Sequence, residues 1–174
     1  MKYLTTENWL ELDPVIAGSV FVSLSMTDGR SSPVTAADWA QNLLVPSLVP
    51  AVPSEVRELY EVARGAMLYG SLFYPLFTLG LEQIARVAEA AVMAKATLLG
   101  VPLQTAKGKR KNLYTILNDF LAGGTLTKAE YEDWSMIRKF RNDVSHSGQP
   151  MILPPGVALG LLGSLTETIN RLFA

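Results

Sequence analysis

From residue 54 onward, apolar residues return at helical spacing. Val56, Leu59, Tyr60, Ala63 and Met67 share one side of a helix whose other side carries Glu55, Arg57, Glu58, Glu61 and Arg64. Ser54 stands at the N-cap position of this helix. Pro75 marks a break or the first turn of a new helix. Residues 76–99 then read as one long helix, apolar nearly all round except for a stripe of Glu82, Arg86 and Glu89. A helix with so little polar surface belongs at the centre of a fold. Glu82 and Arg86 are spaced for an ion pair along it.

Gly100-Val101-Pro102 ends the long helix, and Lys107-Gly108-Lys109-Arg110-Lys111 is a basic loop. Leu113, Ile116, Leu117, Phe120 and Leu121 form the apolar stripe of a shorter helix that Gly123-Gly124 closes. Thr127 followed by Glu130 is a capping box, the clearest local signal in the chain. It opens a further amphipathic helix with Trp134, Ile137, Phe140 and Val144 on its core side. Pro154-Pro155 precedes a last helix in which Ala158, Leu161, Leu162, Leu165, Ile169 and Leu172 face inward. The pattern predicts an all-α protein, an up-and-down bundle of roughly four to five main helices spanning residues 54–174.

Residues 1–53 are less regular and read as an N-terminal elaboration packed on that bundle. Residues 8–12 suggest the start of a short helix that Asp13-Pro14 ends or redirects. Weak alternation around Val20, Phe21, Val22 and Leu24 admits a short strand, with Asp28-Gly29 as a turn. Thr35 followed by Asp38 signals another helix start, and Pro46, Pro50 and Pro53 form an extended connector.

Composition sharpens this picture. At 174 residues, 49% hydrophobic and 18% charged, the chain suits one well-packed domain. Its net charge of −1 excludes a global basic field, so any nucleic-acid contact has to come from a local patch. There is no cysteine and one histidine, which rules out a disulfide framework and the usual zinc sites. No metal or other cofactor is expected. Glu7, Glu11 and Asp13 interrupt the region where an export signal needs an apolar run. The two uncharged stretches, 65–81 and 147–166, are broken by glycine and proline and do not read as membrane spans. A cytoplasmic protein with no membrane partner is the expectation.

The candidate chemistry gathers in Phe140-Arg141-Asn142-Asp143-Val144-Ser145-His146-Ser147-Gly148. An arginine can hold a phosphate through two parallel N–H bonds, and a histidine can move a proton near neutral pH. On an ideal helix His146 falls almost opposite the core side, and Arg141 lies about 140° from it around the axis. Arg138 and Lys139 add positive charge beside the motif, while Asp143 is one turn from Lys139. Lys107, Lys109, Arg110 and Lys111 are a second set of candidate RNA-phosphate contacts. Glu82 is a candidate partner for the motif arginine. Tyr69, Phe73, Tyr74 and Phe77 read as core aromatics.

Arg141-Asn142 with His146 after four intervening residues, late on a helix in an all-α bundle, resembles the signature of the HEPN superfamily. The resemblance covers the bundle from about residue 54 and not the first 53 residues. It implies a metal-independent endoribonuclease, a toxin or antiviral defence effector, that cleaves RNA by attack of the 2′-hydroxyl. By position, Arg141 would stabilise the scissile phosphate, His146 would act on the attacking hydroxyl or the leaving oxygen, and Asn142 would orient the site. It also implies a homodimer with the motif at its interface, since one chain supplies a single imidazole and a symmetric pair supplies two. The alternative is a catalytically silent module of the same kind that docks RNA or a protein partner, such as a nucleotidyltransferase-like antitoxin or a larger effector.

Overall fold

An α-helix with little polar surface has to be covered on most sides, and the computed structural model arranges the chain around one. The structure describes the backbone of residues 2–17, 22–24, 31–33, 36–146 and 155–174, and the side chains of 2–14, 16, 39–140 and 156–174. Helix α1 (Pro14–Ala17) is followed by strands β1 (Val22–Leu24) and β2 (Ser31–Pro33), then α2 (Ala36–Leu44), α3 (Ser54–Tyr69), α4 (Pro75–Leu98), α5 (Leu113–Ala122), α6 (Lys128–His146) and α7 (Pro155–Leu172). The architecture is an all-α bundle with one small hairpin, in which Val22, Ser23 and Leu24 pair antiparallel with Pro33, Ser32 and Ser31. Asp28-Gly29, Phe21 and Thr35 lie outside the described residues.

Helix α4 is the hub and touches α3, α5, α6 and α7. Phe77, Leu81, Ile84, Val87, Ala88, Ala91 and Val92 are all buried along it. Pro75 occupies its first turn, where the missing N–H costs nothing. Its closest approach is to α3 at Gly80, where a Cβ would stand 2.5 Å from Met67 Cγ and 2.9 Å from the Ala63 carbonyl oxygen. Glu82 and Arg86 are exposed. Among the described residues no ion pair joins them, because water outcompetes a pair of mobile exposed side chains.

Local signals set the helix ends. After α4, Gly100 takes a positive φ of 67° while Val101 N–H reaches Ala96 O at 2.9 Å and Gly100 N–H reaches Thr97 O at 3.1 Å. After α5, Gly124 (φ 72°) repeats this closure, with Thr125 N–H on Phe120 O at 2.8 Å. Both are Schellman ends that use glycine where a side chain would strain the backbone. The capping box opens α6 as its residues predict: Thr127 N–H donates to Glu130 Oε2 at 2.8 Å and Glu130 N–H donates to Thr127 Oγ1 at 3.2 Å. The bonds that Thr127 N–H and the Thr127 hydroxyl donate to Glu130 Oε2 hold this carboxyl below its ordinary value.

Two other ends differ from expectation. Ser54 does not cap α3; the N-cap is Pro53, and no side chain closes that end. Residues 6–10 form turns, and the first helix begins instead at Pro14. A proline cannot continue a helix from its N-terminal side but fits its first turn.

Described residues of the N-terminal region share the bundle's core. Trp39, Leu43 and Val52 are buried in the same cluster as the residues of α3, α4 and α7. The Lys2 ammonium, itself buried, donates to Glu11 O at 2.6 Å and Leu72 O at 3.2 Å. Asp13 is fully buried and accepts from Tyr74 N–H at 3.0 Å, so a carboxylate from a distant segment meets the start of α4. The proline connector lacks a backbone ladder and takes its hydrogen bonds from side chains instead. Arg64 donates to Leu44 O and Pro46 O at 2.9 Å each, and Asn170 receives Val49 N–H and donates to Ser47 O. No described helix is long and apolar enough to cross a membrane.

Candidate functional site: the C-terminal half of α6

Helix α6 carries the motif. Its first half is fastened on three sides. Trp134 is buried in the core, Tyr131 donates to Asn118 of α5 at 2.9 Å, and Asp133 pairs with Arg171 of α7 at 2.7 Å. Ile137 and Phe140 continue the apolar stripe, half-buried against the core. Val144 carries the same register, and its side chain lies outside those described.

The helix runs without interruption to His146. Arg141, Asn142 and His146 are therefore all helical, and their side chains lie outside those described. On a regular helix Arg141 and His146 are about 140° apart around the axis and about 7.5 Å apart along it. Ser147 and Gly148 lie outside the described residues, and the side chain of Asp143 likewise.

The described end of the site is Arg138. Tyr131 meets Asn118 while Arg138 lies over the ring of Tyr114, its guanidinium carbon 5.0 Å from the centroid. The partners on α5 move back as those on α6 move forward, so the two helices run antiparallel. Tyr114, in the first turn of α5, thus lies beside the part of α6 from which Arg141 and His146 follow. Tyr114 is 49% exposed. Arg138 Nε is buried without a hydrogen-bond partner, and among the described residues no carboxylate pairs with this guanidinium. Lys139, next to it, is exposed.

The basic loop behaves differently from a uniform patch. Residues 103–111 fold as a tight antiparallel turn, with Lys111 N–H on Leu103 O and Thr105 N–H on Lys109 O, both at 2.8 Å, and Gly108 at φ 74°. Lys111 bonds Asp119 at 2.8 Å and is mostly buried, so its charge is spent on fixing the loop to α5. Lys107, Lys109 and Arg110 are exposed and remain free for anions. Among the described residues no hydrogen bond or ion pair joins this loop to α6. Glu82 is exposed on α4. Of the aromatics read as core, Phe77 and Tyr74 are buried, Phe73 is half-buried, and Tyr69 is 59% exposed.

Tyr114 is the residue that reading the chain by its apolar stripes passes over. It is an aromatic off the Leu113, Ile116, Leu117 and Phe120 stripe, one position into the helix after a basic loop. That displacement from the core side was the available signal. Compared with family models, with curated proteins and with solved structures, the chain matches none.

Proposed function

We propose that this chain is a metal-independent endoribonuclease of the HEPN type, acting through Arg141 and His146, with Asn142 orienting the site. The observation that carries the reading is the placement of Arg141-Asn142 and His146 on the last turns of an amphipathic helix in an all-α bundle. In the reaction, the ribose 2′-oxygen attacks the adjacent phosphorus, an O–P bond to that oxygen forms, and the bond to the 5′-oxygen of the next nucleotide breaks. The products are a 2′,3′-cyclic phosphate and a free 5′-hydroxyl. His146 takes or returns the proton that moves between the two oxygens, and Arg141 offsets the charge that grows on the phosphoryl oxygens. Because base and acid are both useful and the chain has one imidazole, the active species is a homodimer that joins two motifs.

The test is incubation of the purified protein with a mixed RNA panel in EDTA, beside His146→Ala and Arg141→Ala. Cyclic-phosphate ends made by the wild type should fall at least about 100-fold in each variant. Folded wild-type protein that leaves every RNA intact would end the enzyme reading.

A second reading is favoured by one specific feature. Tyr3, Leu4, Trp9, Leu10 and Leu12 are all more than half exposed, on a segment that Lys2 and Asp13 pin to the connection between α3 and α4. Exposed apolar clusters of this kind mark protein contacts. A catalytically silent module would use them to dock a partner, and the absence of cleavage in the same assay would point there.

A further inference from the structure

Several of the described cations give their protons to oxygen. Arg64 donates to Leu44 O, Pro46 O and Glu61, Arg57 donates to Val52 O, Lys111 donates to Asp119, and Lys2 donates to two carbonyls. Arg138 does not. Its Nε is buried with no partner, and its one described interaction is with the Tyr114 ring. A guanidinium held in place by an aromatic face, with donors left over, is already ordered for a planar anion. The enclosed Nε is out of a ligand's reach, as Arg64 Nε is, but the Arg138 amines, unlike those of Arg64, make no hydrogen bond among the described residues and are the donors a ligand oxygen would take.

The register of α6 adds the second part. Taking the Cα of Arg138 as origin, Arg141 lies at about −60°, Asn142 at about +40° and His146 at about +80° around an ideal helix. Arg138 thus heads the sector that Arg141 and His146 bound on either side, about 4.5 Å and about 12 Å further along the axis. Half-exposed tyrosine rings and arginine planes are surfaces on which unpaired bases stack.

We propose that Tyr114 and Arg138 form an RNA subsite next to Arg141 and His146. The base flanking the scissile phosphate stacks on the Tyr114 ring, and a neighbouring phosphate takes the Arg138 guanidinium. The subsite therefore selects single-stranded RNA over a duplex, whose bases are not free to leave the stack. The assignment rests on the ribonuclease reading for its ligand class.

The experiment measures binding apart from cleavage, using a short mixed-sequence 2′-O-methyl oligoribonucleotide, which lacks the attacking hydroxyl. Tyr114→Ala should weaken binding roughly 5- to 100-fold, as loss of one base–aromatic stack does. Tyr114→Phe, which keeps the ring, should bind as the wild type does. Arg138→Gln should weaken binding and lower the slope of log affinity against log salt by about one. Arg138→Lys keeps the charge without the planar fork; it should restore the salt slope and serves if the glutamine variant melts early. Wild-type cleavage combined with unchanged binding in all four variants would overturn the subsite and leave the enzyme reading standing. Lost binding in Tyr114→Ala and Arg138→Gln, with no wild-type cleavage on any RNA, would keep the subsite and remove the enzyme reading. No oligonucleotide binding by the wild type overturns the subsite outright. Arg138-dependent capture of a polyglutamate peptide in its place would mark the position as a protein contact.

Discussion

The Arg64 guanidinium lies 5.1 Å from the centroid of the Tyr60 ring, and that of Arg138 lies 5.0 Å from the centroid of Tyr114. Both side chains bury an Nε that meets no acceptor. Beyond this shared geometry the two regions part. Around Arg64, every neighbour is engaged. Its amines hold the end of α2 at Leu44 O and the connector at Pro46 O, and pair with Glu61. Tyr60 is buried, with its hydroxyl 2.6 Å from Thr166 Oγ1 and 3.0 Å from Pro46 O. Tyr60 donates to Pro46 O, which Arg64 also reaches, and Thr166 Oγ1 lies within hydrogen-bond distance of both the Tyr60 hydroxyl and Leu162 O. The connector, α3 and α7 are thereby joined in one closed network. Around Arg138 the ring is half exposed and the donors are unused. The difference teaches that one pairing of residue types can close a fold or leave it open to a ligand. What decides is whether backbone oxygens lie within reach.

Charge removal is the sharpest way to break this comparison. Arg64→Met keeps most of the side chain's bulk but takes the donor from Leu44 O, one of the two donors from Pro46 O and the partner from Glu61. It should lower stability by roughly 2–4 kcal/mol, read from the urea midpoint. Arg138→Met loses only the ring contact and should cost about 0.5–1 kcal/mol. Similar losses at the two positions would mean that Arg138 has a structural duty and would weaken its assignment to RNA.

The phenol hydroxyls give a smaller effect of the same kind. Tyr60→Phe removes the hydroxyl that bonds Thr166 and Pro46 O and should cost roughly 1–2 kcal/mol. Tyr114→Phe removes a hydroxyl from a half-exposed ring and should stay within about 0.5 kcal/mol of the wild type. Chemical denaturation of both variants, side by side, checks the contrast.

Alkaline pH gives the mildest test. Burial pushes the Tyr60 phenol above its ordinary 10.0, against the opposing effects of the Thr166 hydrogen bond and the Arg64 charge. A raised value in the folded state means that Tyr60's contribution is whole below pH 10 and is lost as the pH climbs through the folded value. The urea midpoint of the wild type should therefore fall more steeply above pH 10 than that of Tyr60→Phe. Parallel curves for the two proteins would place the alkaline sensitivity elsewhere.

Much of the bundle is legible in the chain because its signals are local. Val56, Tyr60, Ala63 and Met67 recur every three or four residues and are buried as a set. The bonds between Thr127 and Glu130, the first-turn Pro75 and the closing Gly100 and Gly124 each act within a turn or two of their own position. The motif at Arg141, Asn142 and His146 is legible as letters on a helix, and its helical placement follows from the same periodicity. Tyr114 is legible only as an aromatic out of step with its stripe.

The remainder depends on partners far away in the chain. Asp13 meets the start of α4 at Tyr74, Asn170 serves the connector at Ser47 and Val49, and Arg138 finds Tyr114 on another helix. Lys111 looks identical to its neighbours in the basic run, yet Asp119 takes its charge. Periodicity and caps, which act over one or two turns, are enough to determine the helices, their inward sides and where they end. Which cations are closed by oxygen and which stay available follows only from how those helices stack, since hydrogen bonds form over about 3 Å and no local pattern fixes distances between elements to that precision.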